Sequence, residues 1–272
     1  MLKSKFMHFI DFHTHLDWYA NQKDLFLQFK NFKGKLLAAS VDELSFLKNI
    51  EIVQKAKALG YGNAFYDDFQ IIPTFGIHPK NALKVPENLK IYDKLCEKSQ
   101  IIGEIGMDFC WYKNAGKKQQ EKVFRYFLEH CNKFKKYCVI HTKGAEQQIC
   151  NILSDYPNAK PIIHWYDGSQ KIYNEFIKRG YLQTFGCETI RSKKLQQYLL
   201  QTPREFILAE TDNPDSEIWL GGNDNSVFLI ERIYKDIAEV LSISAEKCAK
   251  IINKNANNVL QNAFGKKCLL NV

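Results

Sequence analysis

The fold is constrained most by a repeated alternation between short, nearly continuous apolar segments and longer segments with helical spacing. The apolar segments have the length and composition of strands that are buried on both faces, as in parallel sheets. Between them, apolar residues recur at helical steps, for example at Val227, Ile230, Ile233 and Ile237. The predicted strands are His8–Phe12, Lys35–Ser40, Ile71–Phe75, Ile101–Ile105, Cys138–His141, Pro161–His164, Tyr181–Phe185 and Phe206–Thr211.

Eight strands that alternate with helices predict βαβ units and a parallel sheet. Their number and the length of 272 residues predict an α/β fold, a closed (β/α)₈ barrel that forms a single domain over residues 1–272. A doubly wound open sheet is the alternative. The segment Gly60–Gln70 fits a helix and a loop equally well, and Ser169 and Gly180 are expected to bound a helix over Gln170–Lys178.

The composition is that of an ordinary globular protein, with 45% hydrophobic and 25% charged residues, which argues against a disordered chain. No apolar run approaches the ~18 residues of a membrane span, and the N-terminus lacks the features of a signal peptide. We therefore expect a cytoplasmic protein, without a membrane partner, whose 8 cysteines are reduced. The net charge of +8 favours a polyanionic partner such as nucleic acid, although scattered surface lysines explain it equally well.

Histidines and acidic residues collect at or just after the ends of the predicted strands, where the active sites of (β/α)₈ barrels lie. They are His13, His15, His78, Glu104, His141, His164, Glu210 and Asp212. His13 and His15 are two residues apart, so on an extended chain both side chains point to the same face and can meet one ion.

Six of these side chains suit metal binding, with four imidazoles and two carboxylates: His13, His15, Glu104, His141, His164 and Asp212. One ion cannot use six such ligands and keep an open position, whereas two ions can if a carboxylate bridges them. Two divalent metal ions are therefore predicted. Mixed nitrogen and oxygen ligands suit Zn²⁺ or Mn²⁺, and Mg²⁺ less naturally.

Six motifs, in order and spacing, resemble the TatD family of metal-dependent deoxyribonucleases, which belongs to the amidohydrolase-like barrel superfamily. Asn253–Phe264 also resembles the closing helix of that family. The motifs are Asp11-Phe-His-Thr-His-Leu-Asp17, Gly76-Ile-His-Pro79, Ile102-Gly-Glu-Ile-Gly-Met-Asp108, Ile140-His-Thr-Lys143, Ile163-His-Trp-Tyr-Asp-Gly-Ser169 and Glu210-Thr-Asp-Asn-Pro214.

The resemblance implies a role for each matching residue. It implies that His13, His15 and Asp212 hold one ion, that His141 and His164 hold the other, and that Glu104 bridges the two. Asp212 and Glu104 would be catalytic, with Asp212 as general base. His78 and Lys143 would contact phosphate or support the site, and Asp17, Asp108 and Glu210 would orient the ligands.

The chain also departs from the family pattern, in segments expected to contact substrate. Lys143 and Gly144 stand where the family usually has Arg and Asp. Trp165-Tyr166-Asp167 replaces Cys-Phe-Ser, Lys80 stands where a second His is frequent, and the segment Asp215–Asn225 replaces the usual loop.

The function expected first is hydrolysis of phosphodiester bonds by a TatD-type deoxyribonuclease, an exonuclease acting on single-stranded or frayed DNA ends through a metal-activated hydroxide. Trp111 and Tyr112 follow strand four and are candidates for stacking on bases. A binuclear hydrolase of a carboxyl ester, lactone or amide is the alternative, and a nucleic-acid-binding protein that has lost activity is a third reading. A monomer is expected.

Overall fold

A computed structural model describes residues 8–62 and 68–265 of the chain. All eight apolar segments form strands, which confirms the predicted α/β class. The strands are β1 (Phe9–Thr14), β2 (Gly34–Ala39), β3 (Phe69–Thr74), β4 (Ile101–Asp108), β5 (Tyr137–Lys143), β6 (Lys160–His164), β7 (Leu182–Phe185) and β8 (Ile207–Ala209).

Helices lie between the strands and after the last one. They are α1 (Gln22–Phe29), α2 (Glu43–Ala58), α3 (Asp93–Lys98), α4 (Lys117–Phe134), α5 (Glu146–Ile152), α6 (Gln170–Lys178), α7 (Lys193–Gln201), α8 (Ser216–Trp219), α9 (Leu229–Val240) and α10 (Ala245–Phe264). The helix α6 has the predicted bounds because the Ser169 hydroxyl accepts from the Ile172 N–H at its start. Of the ambiguous segment Gly60–Gln70, residues 63–67 lie outside the described residues.

β1, β4 and β5 carry candidate ligands and run further than predicted, whereas β6 ends at His164 as predicted and β8 ends at Ala209, before the predicted end at Thr211. β1 continues through His13 to Thr14, and β4 continues past Glu104 to Asp108. In β1 and β4 the backbone pairing continues beyond the first candidate ligand, to Thr14 and to Asp108. The register between β1 and β2 shifts between Asp11 and Thr14, and the register between β4 and β5 shifts between Ile102 and Ile105. Such irregularities redirect side chains next to active sites, and here they fall on the segments that contain His13 and Glu104.

Contacts divide the chain into two compact units. The first contains residues 1–38, 48–72 and 185–272, and the second contains residues 39–47 and 73–184. In the first unit, β1 pairs in parallel with β2, and Tyr234 of α9 exchanges hydrogen bonds with the backbone of Ile10 at 3.0 and 3.1 Å. The single domain predicted for the whole chain stays a prediction.

In the second unit, β4, β5, β6 and β7 are consecutive parallel neighbours. Gly106 of β4 has a φ of +146°, and a side chain there would collide with the carbonyl oxygen of His141. Only glycine lets β4 and β5 approach this closely beside a candidate ligand.

Within the part of the chain that the structure describes, no helix is long and apolar enough to cross a membrane. The cysteines of this part are free thiols, and all but Cys110 are buried. Cys268 lies outside the described residues.

Candidate metal centres

In the first unit, the end of β1 is joined to the residues that follow β8. The Asp212 N–H donates to the carbonyl oxygen of His13 at 2.9 Å, and the His15 N–H donates to the carbonyl oxygen of Asn213 at 2.8 Å. These two bonds bring together residues that are about 200 positions apart in the sequence. They place His13, His15 and Asp212, three predicted ligands, side by side.

Asp11 accepts three further hydrogen bonds at this junction. Its carboxylate accepts the N–H of His13 at 3.2 Å, the N–H of Thr211 at 2.9 Å and the hydroxyl of Thr211 at 2.6 Å. Burial raises the pKa of Asp11 to about 7, against these hydrogen bonds, which lower it. The sequence placed Asp11 in a motif but assigned it no role, because a partner 200 residues away leaves no local pattern.

The side chains of His13, His15 and Asp212 form what we call the first cluster. The two Nε2 atoms lie 3.2 Å apart, and Oδ1 of Asp212 lies 3.5 Å from Nε2 of His13 and 3.2 Å from Nε2 of His15. Ligand atoms around a tetrahedral ion with bonds of ~2.0–2.1 Å are ~3.3–3.4 Å apart. The spacing and the donor set, two imidazoles and one carboxylate, all buried, therefore fit a divalent metal ion.

The backbone at Asp212 has a φ of +53°, in the left-handed region. Aspartate tolerates this conformation better than most residues, but it is uncommon and is characteristic of functional sites. Next to the same cluster, the indole of Trp18 stacks on the imidazole of His15, with ring centres 4.0 Å apart and planes 9° apart. The stacked indole fixes the plane of this ring.

In the second unit, Glu104 lies near two further predicted ligands, whose ring centres are 6.2 Å apart. We call these three residues, Glu104, His141 and His164, the second cluster. Oε1 of Glu104 lies 2.9 Å from Nδ1 of His141 and 3.7 Å from Nε2 of His164. Neighbouring parallel strands carry these residues, and His141 is the register partner of His164 between β5 and β6. All three are buried, so the negative charge of Glu104 favours a bound cation.

Asp108 sets the orientation of His141. Oδ2 of Asp108 lies 3.0 Å from Nε2 of His141, while Nδ1 of the same ring faces Glu104. When the neutral ring donates its Nε2 proton to Asp108, the lone pair on Nδ1 points toward Glu104, as a metal ligand requires. Without an ion, both ring nitrogens can carry protons and donate, one to Asp108 and one to Glu104. Burial opposes this charge, but the two hydrogen bonds outweigh it and raise the pKa of His141.

His78 lies against the second cluster, with Nε2 3.3 Å from Nδ1 of His141 and 3.5 Å from Oε1 of Glu104. Its position alone would allow it to be a ligand. However, Nδ1 of His78 accepts the N–H of Lys80 at 3.0 Å, so the neutral ring carries its proton on Nε2. His78 is therefore a hydrogen-bond donor at this place, and its predicted contact with phosphate stays a prediction.

The other predicted site residues have varied surroundings. Trp111 and Tyr112 follow β4 and are exposed, and the ring of Tyr112 lies edge-on to His78. Lys143 ends β5 and is buried. Glu210 is buried and its N–H donates to Phe185, whereas Asp17 lies in the short turn Leu16–Trp18 after β1. No sequence pattern indicated the role of Gln120 in α4. Its Oε1 accepts the N–H of Asp108 at 2.7 Å, and its Nε2 donates to the carbonyl oxygen of Asp108 at 3.0 Å.

Comparison with known proteins identifies relatives along nearly the whole chain. Residues 10–261 match the family described as TatD related DNase. An uncharacterized metal-dependent hydrolase of Methanocaldococcus jannaschii is 29% identical over 195 residues, which are 69% of this chain and 74% of that protein. The deoxyribonuclease TATDN3 of Homo sapiens is 26% identical over 209 residues, which are 70% of this chain and 74% of that protein.

Solved structures share the fold. A TatD family hydrolase from Entamoeba histolytica is 20% identical, with a TM-score of 0.76 over 93% of this chain and 98% of that chain. The TatD homologue YjjV from Escherichia coli is also 20% identical, with a TM-score of 0.73 and the same coverage. This likeness confirms the predicted barrel class of fold, and the family match spans both sets of candidate ligands. The chain therefore belongs to the TatD family of metal-dependent hydrolases.

Proposed function

We propose that the chain is a metal-dependent phosphodiesterase that removes nucleotides from the ends of DNA, single-stranded or frayed, and that it uses two divalent metal ions. The observation that carries the proposal is the pair of buried clusters, each composed of two imidazoles and one carboxylate. The human relative that is named a deoxyribonuclease supports DNA as the substrate, and so does the net charge of +8.

His13, His15 and Asp212 would hold one ion, and His141 and His164 the other together with Glu104. The bridging role of Glu104 stays a prediction from the family resemblance. When bound, two divalent ions supply a hydroxide at neutral pH and offset negative charge on the phosphoryl oxygens. The mixed nitrogen and oxygen ligands favour Zn²⁺ or Mn²⁺.

The protein's own groups would position the reactants and move protons. The Asp212 carboxylate orients the attacking water and takes its proton as general base. The Nε2–H of His78 donates to a phosphoryl oxygen and stabilises charge that develops there. Asp108 keeps the His141 proton on Nε2, away from the ligand atom.

The test is a gel assay on end-labelled single-stranded and double-stranded DNA. Metal-stripped protein is refilled with Mn²⁺, Zn²⁺ or Mg²⁺ and compared with the double variant His13→Ala/Asp212→Asn. A matched control is His130→Ala, because His130 also pairs with a carboxylate, that of Asp93 at 3.0 Å on the outside of the second unit. We expect stepwise shortening with the wild type and His130→Ala, and none with the double variant.

A carboxyl ester, lactone or amide as the substrate predicts a different result. Such an enzyme would hydrolyse p-nitrophenyl acetate and leave both DNA and bis-p-nitrophenyl phosphate intact. Cleavage of the acetate alone under every metal would overturn the proposed phosphodiesterase, while metal-dependent binding of DNA without turnover would indicate the nucleic-acid-binding protein.

A further inference from the structure

Lys143 has an environment that a phosphate-binding residue does not require. Its side chain is only 5% exposed, and its ammonium group lies 2.8 Å from the carbonyl oxygen of Trp165 and 3.2 Å from Oδ1 of Asp167. The same nitrogen lies 5.2 Å from the ring centre of Trp111 and 5.6 Å from that of Trp165. Since an ammonium group has three N–H bonds, two carry oxygen acceptors and the charge is shared with two indole rings. A phosphate oxygen would have to compete with these partners for the ammonium group.

These contacts connect the segments that follow β4, β5 and β6. Lys143 ends β5, Trp111 follows β4, and Trp165 and Asp167 follow β6. The backbone of Trp165 has a φ of +38°, which is uncommon for a bulky residue, and its carbonyl oxygen is the one that Lys143 holds. The lysine therefore stabilises a conformation that the chain would otherwise avoid.

The segment that carries Trp111 is held as firmly as the lysine. Oδ1 of Asp108 accepts the N–H groups of Cys110 at 2.8 Å, Trp111 at 2.7 Å and Tyr112 at 3.3 Å. A side chain on Gly144, which has a φ of +67°, would come within 2.6 Å of Sγ of Cys110. The segments after β4 and β5 are thus packed against each other and leave no room for a larger residue.

This support presents the indole of Trp111 to solvent beside the second cluster. The side chain is 58% exposed, although its backbone is fixed and a buried cation faces its ring. Its ring centre lies 6.1 Å from that of His141. An exposed, immobilised aromatic face next to candidate metal ligands is a surface on which a planar aromatic group can stack.

We propose that Trp111 is a stacking platform for a nucleobase of the DNA end, and that Lys143 is a positioning residue that holds this platform and does not bind phosphate. The inference rests on the proposed function and adds a specificity determinant to it. Stacking of a base on an aromatic side chain changes affinity by roughly 5- to 100-fold and depends little on sequence. The enzyme would therefore favour an end whose terminal nucleotide has a base over an end with an abasic sugar.

The experiment measures KM and kcat on single-stranded oligonucleotides with either a normal or an abasic terminal nucleotide. We expect Trp111→Ala to raise KM for the normal end roughly 5- to 100-fold with a smaller change in kcat, and Trp111→Phe to retain most of the affinity. For the abasic end, Trp111→Ala should raise KM much less. The matched control is Phe134→Ala, since Phe134 is also an exposed aromatic with a lysine over its ring, Lys133 at 4.8 Å, but lies at the end of α4.

Lys143→Met separates positioning from phosphate binding. If Lys143 positions Trp111, Lys143→Met should raise KM selectively for the normal end, as Trp111→Ala does, and the double variant should show no further rise. The dependence of log KM on log salt should stay unchanged, and Lys143→Arg should restore the affinity. A contact with phosphate predicts equal losses for both ends and a salt slope that falls by ~0.7. The second pattern, or equal KM values for the two ends in the wild type, would overturn the inference while DNA cleavage by the wild type still supports the proposed function. No cleavage of any DNA by the wild type would overturn both.

Discussion

In the first cluster, main-chain hydrogen bonds join the two segments that carry the ligands, whereas in the second cluster a carboxylate sets the position of the proton on a ligand's ring. His13 and Asp212 are joined by a main-chain hydrogen bond, and Asp11 accepts from main-chain N–H groups and a hydroxyl. At the second cluster, Asp108 contacts the imidazole of His141 directly. Both clusters depend on a buried carboxylate that is not itself a ligand, but the carboxylates control different properties: the path of the chain in one case and the position of a proton in the other.

The largest effect should come from the carboxylates within the clusters. Asp212→Asn and Glu104→Gln are each expected to lower kcat on a DNA end by ~10²–10⁴-fold, because each removes a metal ligand and Asp212 is also the proposed base. Circular dichroism should show an unchanged fold. Metal analysis checks the comparison, since Asp212→Asn should lose the ion of the first cluster and keep the other. Wild-type turnover in both variants would rule out the proposed chemistry.

Asp11→Ala should mainly affect stability. The substitution leaves two buried N–H groups and a buried hydroxyl without their acceptor, so we expect the free energy of unfolding to fall by about 2–4 kcal/mol. Urea denaturation measures this, with metal-stripped protein used throughout so that ion binding does not contribute. If the variant were as stable as the wild type, the backbone junction would not depend on Asp11.

Asp108→Asn should act on the proton of His141 and leave the fold intact. The amide oxygen can still accept from the segment after β4, but the amide nitrogen would then face Nε2 of His141 as a donor. The ring proton must move to Nδ1, where it blocks the ligand position, and we expect metal affinity at the second cluster to fall ~10–100-fold. Nitrogen-15 chemical shifts of the imidazole report the tautomer. An unchanged tautomer with unchanged metal affinity would contradict this account.

The smallest effect belongs to a carboxylate–histidine pair outside both clusters. Asp93 pairs with His130 and is 41% exposed, and the hydroxyl of Tyr126 and then His130 lower the pKa of Asp93. A lowered pKa contributes stability above the unfolded value of ~3.9 and loses it as the pH falls through the folded value. Asp93→Asn should cost less than about 1 kcal/mol at neutral pH, and less in acid. A loss of bound metal in this variant would show that carboxylates outside the two clusters also affect metal binding.

The sequence predicted the parts of the molecule that have a local pattern. The apolar runs located every strand, and the alternation at His13 and His15 predicted that both side chains would meet on one face, as their Nε2 atoms do. It did not predict that Asp11 joins Thr211, because that contact depends on chain closure over 200 residues. Nor did it predict the partners of Lys143. A lysine near a candidate site indicates positive charge, but which carboxylate neutralises that charge depends on side-chain packing in three dimensions.

Because His13 bonds to a residue that follows β8, the two clusters can form at different times during synthesis. A growing chain that has been made through β6 already contains Glu104, His141 and His164, whereas the partner of His13 and His15 is still missing. At ribosomal rates of ~5–20 residues per second, the first histidines wait on the order of ten seconds or more for Asp212. The order of synthesis thus gives the second cluster an earlier opportunity to bind its ion, and a chain that ends before Thr211 cannot complete the first cluster at all.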